Sequence, residues 1–178
     1  DGDDMARDRK AALRAVGILF QNPDHQIIFP TVDEEIAFGL MQLGHDRDAA
    51  ARETSAILSR FGKSGWHGAA THSLSQGQKQ LVCLMAVLAM RPRLIVLDEP
   101  YSGLDIPTRM QLMRYVHEVD ACLVLVSHDP EALAGFDRVI WIDEGQIAAD
   151  GPAGEVLERF ERQMRLWGER DDLADLSG

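Results

Sequence analysis

An α/β fold with a mostly parallel sheet and an inserted helical subdomain is predicted by three features of this sequence. From Leu94 onward, short Leu-rich and β-branched runs alternate with helical stretches, the pattern of βαβ units with strands covered on both faces. A similar run, Ala15–Phe20, stands far upstream. Between them, residues 31–90 carry only helix and loop signals.

In chain order, Ala15–Phe20 reads as a buried strand that Asn22-Pro23-Asp24 breaks. Thr31-Val32-Asp33-Glu34 has the form of a capping box and starts a helix carrying Ile36, Phe38 and Leu40. Asp46 to Phe61 reads as a second helix, and Gly62 to Ser73 as a loop. A third helix runs from about Gln76 to Met90, where Arg91-Pro92 ends it. Leu94–Leu97 and Leu123–Val126 are strands, with helices at Pro107–Glu118 and Pro130–Gly135. Arg138–Ile142 and Gln146–Ala148, joined at Asp143-Glu144-Gly145, form a closing hairpin. From Gly154 a charged amphipathic helix leads into an acidic tail. The implied division is a core from residues 1–30 and 91–150, a helical subdomain at 31–90, and a C-terminal helix and tail at 151–178.

A chain of 178 residues with 46% apolar content buries a real core. Its net charge of −11 argues against a nucleic-acid partner, which calls for a basic face. A triphosphate is still compatible, because backbone N–H groups and a metal ion neutralise it locally. Cys83 and Cys122 lie in apolar runs, where buried free thiols are common, so a reducing setting is expected. The longest apolar run, Leu81 to Met90, is about half of what a membrane span needs. Asp1-Gly2 reads as a turn, so the sequence is expected to enter its domain partway.

Several residue groups carry chemistry. Asp98-Glu99 end a strand, and open parallel sheets bind ligands outside the carboxyl ends of their strands; two solvated acids capping the strand are the plainer account. Ser75 and Gln78 form a capping box, and Gly77 leaves the first-turn N–H groups open to an anion. An ordinary capped helix explains Ser75 and Gln78 but not Gly77. Gln21 is a neutral hydrogen-bonding side chain at a strand end. Ser102-Gly103-Leu104-Asp105 reads locally as a tight turn with Asp105 as N-cap. His128 closes a strand, where a structural histidine is the alternative. Ile27, Ile28 and Phe29 form an apolar cluster in a loop, which is costly unless the helical subdomain or a partner covers it. Gly62-Lys63-Ser64 imitates the end of a phosphate-binding loop, but the earlier Gly is replaced by Ile57 and a helix precedes it.

Taken in order, Gln21, Leu74-Ser75-Gln76-Gly77-Gln78, Leu94–Glu99, Ser102–Asp105 and His128 resemble the nucleotide-binding subunit of ABC transporters over nearly the whole length. Gln76 departs from the usual Leu-Ser-Gly-Gly-Gln. No Gly-x-x-x-x-Gly-Lys-Ser/Thr loop precedes Gln21. The stretch from Asn22 to Val32 resembles energy-coupling-factor ATPases, the vitamin and transition-metal importers of prokaryotes.

The resemblance implies a partial RecA-like P-loop NTPase core using ATP and Mg²⁺. Asp98 and Gln21 would serve the metal, Glu99 would activate water, and Gln21 and His128 would contact the reacting groups. Ser75, Gln76, Gly77 and Gln78 would reach the γ-phosphate held by an opposing subunit, with Ser102, Gly103, Leu104 and Asp105 linking the two sites of a head-to-tail dimer. Membrane subunits would dock at Ile27, Ile28 and Phe29, placing the protein on the inner face of a prokaryotic membrane. The run Leu81–Met90 is similar to biotin-type members, with cobalt or nickel as further cargoes. The 178 residues by themselves are expected to be inactive and to bind ATP weakly. A catalytically silent subunit supplying its signature helix to a partner is the alternative, and Glu99 weighs against it. ATPases of translation or DNA repair fit poorly, since they carry basic surfaces or long insertions.

Overall fold

The computed structural model describes residue 11 and residues 14–168. The Asp1-Gly2 turn, most of the chain before Arg14 and the acidic tail from residue 169 lie outside the described residues. Two compact units divide the chain at Val126/Ser127.

The first unit holds three parallel strands in the order β1 (Val16–Leu19), β2 (Leu94–Asp98), β3 (Cys122–Val126). Leu19 pairs with Leu97, and Leu97 with Leu125. The link from β1 to β2 contains α1 (Val32–Gln42), α2 (Arg47–Arg60) and α3 (Gln76–Ala89); β2 reaches β3 through α4 (Ile106–His117). Side-chain oxygens of Thr31, Asp46, Ser75 and Asp105 cap the four helices, satisfying first-turn N–H groups that have no partner in the helix.

One face of this sheet is sealed. Leu19, Ile95 and Leu97 are buried, and a Cβ on Gly17 would lie 2.4 Å from Val87 Cγ1, so α3 packs directly on the strand backbone. Ile36, Leu40 and Leu58 from α1 and α2 close the helical core around Leu84 and Met85. The other face differs from the expectation of strands covered on both sides. Ile18, Phe20, Val124 and Val126 are 44–50% exposed, so among the described residues the sheet is covered on one face only. A short apolar run looks the same in either case. Cys122 lies on this open face and is exposed, unlike buried Cys83.

The second unit contains α5 (Pro130–Leu133), the antiparallel hairpin β4 (Arg138–Asp143) and β5 (Gln146–Pro152), and α6 (Ala153–Gly168). Glu144 and Gly145 both have positive φ, the two-residue turn that matches strand twist. β5 extends four residues beyond the expected Ala148, because Arg138 pairs with Pro152 and grips Asp150 through two hydrogen bonds of 2.7 and 2.6 Å. The hairpin and α6, divided at 150/151 by the sequence pattern, share one core of Val139, Ala149, Ala153, Val156 and Leu157.

Candidate active site

The central strand ends at Asp98, which is exposed; Glu99 is half-buried. Glu99 extends the ladder by one bond, its N–H donating to the Val126 carbonyl at 2.9 Å, and then turns with φ 44°. That left-handed conformation is uncommon for a residue with a Cβ and costs on the order of 1 kcal/mol or more. Its carbonyl accepts from Ser102 N at 3.1 Å, closing a turn around Pro100 and Tyr101, both buried. Burial pushes the Tyr101 hydroxyl up to about 12, which keeps it protonated at neutral pH. Ser102 and Gly103 are exposed, and Asp105 caps α4 by accepting from Thr108 N at 2.9 Å. That N–H, foremost, holds the Asp105 carboxyl below its ordinary range.

The Ser75 capping box forms as its sequence dictates, with Gln78 N donating to Ser75 Oγ and Ser75 N to Gln78 Oε1. Gly77 has a packing reason that sequence reasoning missed. A Cβ there would lie 2.5 Å from Thr108 Cγ2, so the first turns of α3 and α4 touch. An ordinary helix therefore does account for this glycine, and the contact sets Ser75–Gln78 beside the Ser102–Asp105 loop.

Gln21 is exposed, two residues past Leu19, as Glu99 is two residues past its strand partner Leu97. Its loop is built by side chains. Gln26 clasps the strand end, its Oε1 accepting from Phe20 N at 3.0 Å and its Nε2 donating to Ile18 O at 3.2 Å. Gln80 Nε2 donates to Phe20 O, Lys79 pairs with Asp24 at 2.7 Å, and Gln76 Nε2 reaches Asn22 Oδ1 at 3.4 Å. The structure thus joins the Gln21 loop to the start of α3. Gln26, Lys79 and Gln80 carried no role in the sequence reading; glutamines flanking a loop give no local signal.

Further along, Ile28 is 65% exposed while Ile27 and Phe29 are half-buried. Glu35, itself buried, accepts from both Ile28 N and Phe29 N at 2.9 Å, and Thr71 Oγ1 donates to Phe29 O. The one sequence clue to Glu35 is a carboxylate on the same helical face as Val32 and Ile36. A groove of about 360 Å³ opens beside this loop, lined by Phe29, Ala37, Met41 and Ala50 with Asp33, Glu34 and Arg47 among its charged groups. The Gly62-Lys63-Ser64 decoy is a helix stop: Gly62 has φ 65°, Lys63 N donates to Leu58 O, and Lys63 lies 5.2 Å from the Trp66 ring.

His128 belongs to the second unit. It is exposed and lines a cavity of about 210 Å³ with Leu133, Trp141, Ile142 and Phe160. Asp129 Oδ1 accepts from Glu131 N at 3.0 Å and fixes the turn after it.

Asp98, Glu99 and Gln21 offer hard oxygen donors, which suit Mg²⁺; no group of three His, Cys, Asp or Glu side chains forms a metal cage among the described residues. Such a donor set fits an ion completed by phosphate oxygens and water. No described helix is long and apolar enough to cross a membrane.

The ABC transporter family model matches residues 1–102. The chain is 50% identical over 165 residues to the biotin transport ATP-binding protein BioM of Rhodobacter capsulatus, covering 93% of this chain and 70% of that protein. It is 38% identical to the energy-coupling factor transporter ATP-binding protein EcfA of Methanothermobacter thermautotrophicus, over 99% of this chain and 59% of the relative. Among solved structures it is similar to cbiO1 from Clostridium perfringens, part of the ABC transporter complex cbiONQ, with TM-score 0.76 and 26% identity over 99% of this chain and 71% of that one.

Proposed function

The chain belongs to the ABC transporter ATPase family, and from that premise we propose that it is the ATP-hydrolysing subunit of an energy-coupling-factor importer for biotin. The observation that carries the catalytic reading is the carboxylate pair at the end of the central strand, with Glu99 held at φ 44°. Strain of this kind persists where the surrounding structure over-determines it, and it clusters at active sites.

In this reading Glu99 accepts a proton from the water that attacks the γ-phosphorus, as the bond to the leaving ADP breaks. Asp98 and Gln21 would hold a magnesium ion, which when bound would neutralise charge on the phosphate oxygens. The N–H groups of the α3 first turn, around Ser75, Gln76, Gly77 and Gln78, face phosphate from an opposing copy. Ser102, Gly103, Leu104 and Asp105 lie at that dimer contact, and His128 is the γ-phosphate contact that senses hydrolysis. Glu99 itself speaks against a non-catalytic subunit, which has no use for a base.

The membrane partner docks at the Gln21 loop. Support comes from Ile28, held exposed on a loop pinned by Glu35, and from the adjoining groove, whose mixed apolar and charged lining suits an amphipathic helix. The biotin assignment rests on the relative named for biotin transport.

The test is hydrolysis of Mg-ATP by the protein expressed from its own gene with the membrane proteins that copurify with it, alongside biotin uptake by the cells. Glu99→Gln is expected to lower hydrolysis by a factor on the order of 10² or more and to stop uptake. Undiminished hydrolysis in Glu99→Gln removes the catalytic reading. Normal biotin uptake in cells lacking the protein removes the substrate.

A further inference from the structure

We infer that Gln80 is a positioning residue for hydrolysis: from the buried face of α3 it holds the carbonyl of Phe20 and so sets where Gln21 leaves the sheet. The inference rests on the reading of Gln21 given above.

Gln80 is 1% exposed and lies beside Leu81, Val82, Cys83 and Leu84, all buried. A side-chain amide in such a place is costly unless its polar atoms are bonded. Only half of that requirement is met. Nε2 donates to Phe20 O at 3.1 Å, whereas Oε1 has no partner among the described residues. The net gain from one neutral hydrogen bond is smaller than the penalty of one orphaned buried acceptor. For stability alone, Leu or Met would serve better at this position. What Gln80 provides is a fixed point for the strand end.

The Phe20 backbone shows how that point is used. Leu19 is the last β1 residue in the ladder, so among the described residues Phe20 has no strand partner for either polar group. Its N–H goes to Gln26 Oε1 and its carbonyl to Gln80 Nε2. Two glutamine side chains thus replace the sheet at the residue before Gln21. Gln26 belongs to the loop itself and bonds β1 only through Ile18 O and Phe20 N among the described residues, both in the same stretch of chain. Gln80 belongs to α3, whose Val87 packs on Gly17 of β1. Among the described residues only the Gln80 bond ties the Phe20 carbonyl to a helix already fixed on the sheet, and a displacement of about 1 Å in a positioned group is enough to cost on the order of 10²-fold in rate.

The experiment is a double-mutant cycle on the ATPase, in complex with its membrane partners, using Gln80→Met and Gln21→Ala. Met matches the length of Gln without its donor. Gln80→Met is expected to lower kcat by roughly ten- to a hundred-fold, with the KM for Mg-ATP changed by less than about three-fold because phosphate and base contacts are untouched. In the Gln21→Ala background it should cause no further loss, since residues acting through one another are not additive. Gln80→Leu, apolar and likewise without the donor, should repeat the fall in kcat. Wild-type kcat in Gln80→Met, or a loss that simply adds to that of Gln21→Ala, overturns the inference. Failure of both Gln80 variants to fold would make it a core residue and overturn it equally. If Gln21→Ala itself leaves kcat unchanged, the reading of Gln21 falls instead, a result distinct from a silent Gln80→Met.

Discussion

Glu35→Ala is the substitution whose consequence follows most directly from the structure. Oε2 of this buried carboxylate accepts two backbone N–H bonds, from Ile28 and Phe29, each 2.9 Å long. Hydrogen bonds to a charged group contribute about 1.5–3 kcal/mol each, which sets an upper range of roughly 3–6 kcal/mol. Two effects reduce it. Ile28 is 65% exposed, so its freed N–H finds water, and removing a buried charge recovers desolvation energy. The net expectation is a loss of about 2–4 kcal/mol, with the neutral isostere Glu35→Gln losing about half as much. The competing support is the Phe29–Phe38 ring contact at 5.0 Å, worth about 0.5–1.5 kcal/mol, too little to hold the loop alone. Urea unfolding gives the stabilities, and hydrogen exchange at Ile28 and Phe29 gives the local effect. A Glu35→Ala protein within about 0.5 kcal/mol of wild type, its two amides still protected, would refute the reasoning. If the loop is the docking surface, copurification with membrane partners should fall in the same order, wild type, Gln, Ala.

Three other outcomes follow from particular contacts. Gly77→Ala should cost about 1–3 kcal/mol, because its Cβ meets Thr108 Cγ2 at 2.5 Å, and Thr108→Ser should restore most of that by removing the methyl; a melting temperature unmoved by Gly77→Ala refutes the contact. Under native conditions a thiol reagent should label Cys122 alone, since burial first, then the charges of Glu35 and Asp24, push the Cys83 thiol up to about 12; native labelling at Cys83 contradicts this. At Asp33, burial raises the carboxyl pKa, but the Gly68 N–H and the His67 ring outweigh it and hold the value below the ordinary range. A depressed folded-state value means stabilisation present above the unfolded pKa and lost as pH falls through the folded one. Asp33→Asn should therefore lose less stability than wild type on acidification below the ordinary carboxylate range, and equal acid sensitivity in urea titrations would count against it.

What was legible in the sequence is what short-range chemistry decides. The caps at Thr31, Ser75 and Asp105 could be read because a capping side chain and the N–H it serves lie within one turn. The strand-ending carboxylates and the hairpin turn at Glu144-Gly145 are local in the same sense. The misses are all long-range. An apolar run does not say how many of its faces are covered, so the open face bearing Ile18 and Val124 was hidden. So was the exposure of Cys122. Gly77 depends on Thr108, Glu35 on a loop that precedes its helix, and Gln80 on a strand far upstream.

The candidate site combines two strengths of attachment, and the difference has mechanical meaning. α3 is fixed to the sheet by apolar contact, Val87 against Gly17, where even one added methyl group clashes. The Gln21 loop, in which Pro23 is buried, is tied to the same helix by weaker polar contacts. The Lys79–Asp24 pair has Asp24 54% exposed, so it contributes about 0–1 kcal/mol, and the Gln76–Asn22 bond is long at 3.4 Å. Any force that moves the loop, whether from a partner at Ile28 or from ligand at Gln21, therefore breaks polar ties before it shifts the helix. The Gln80 bond is also weak in energy, but Gln80 is buried on the helix that stays fixed. It defines the position to which Phe20, and with it Gln21, returns once the force is released.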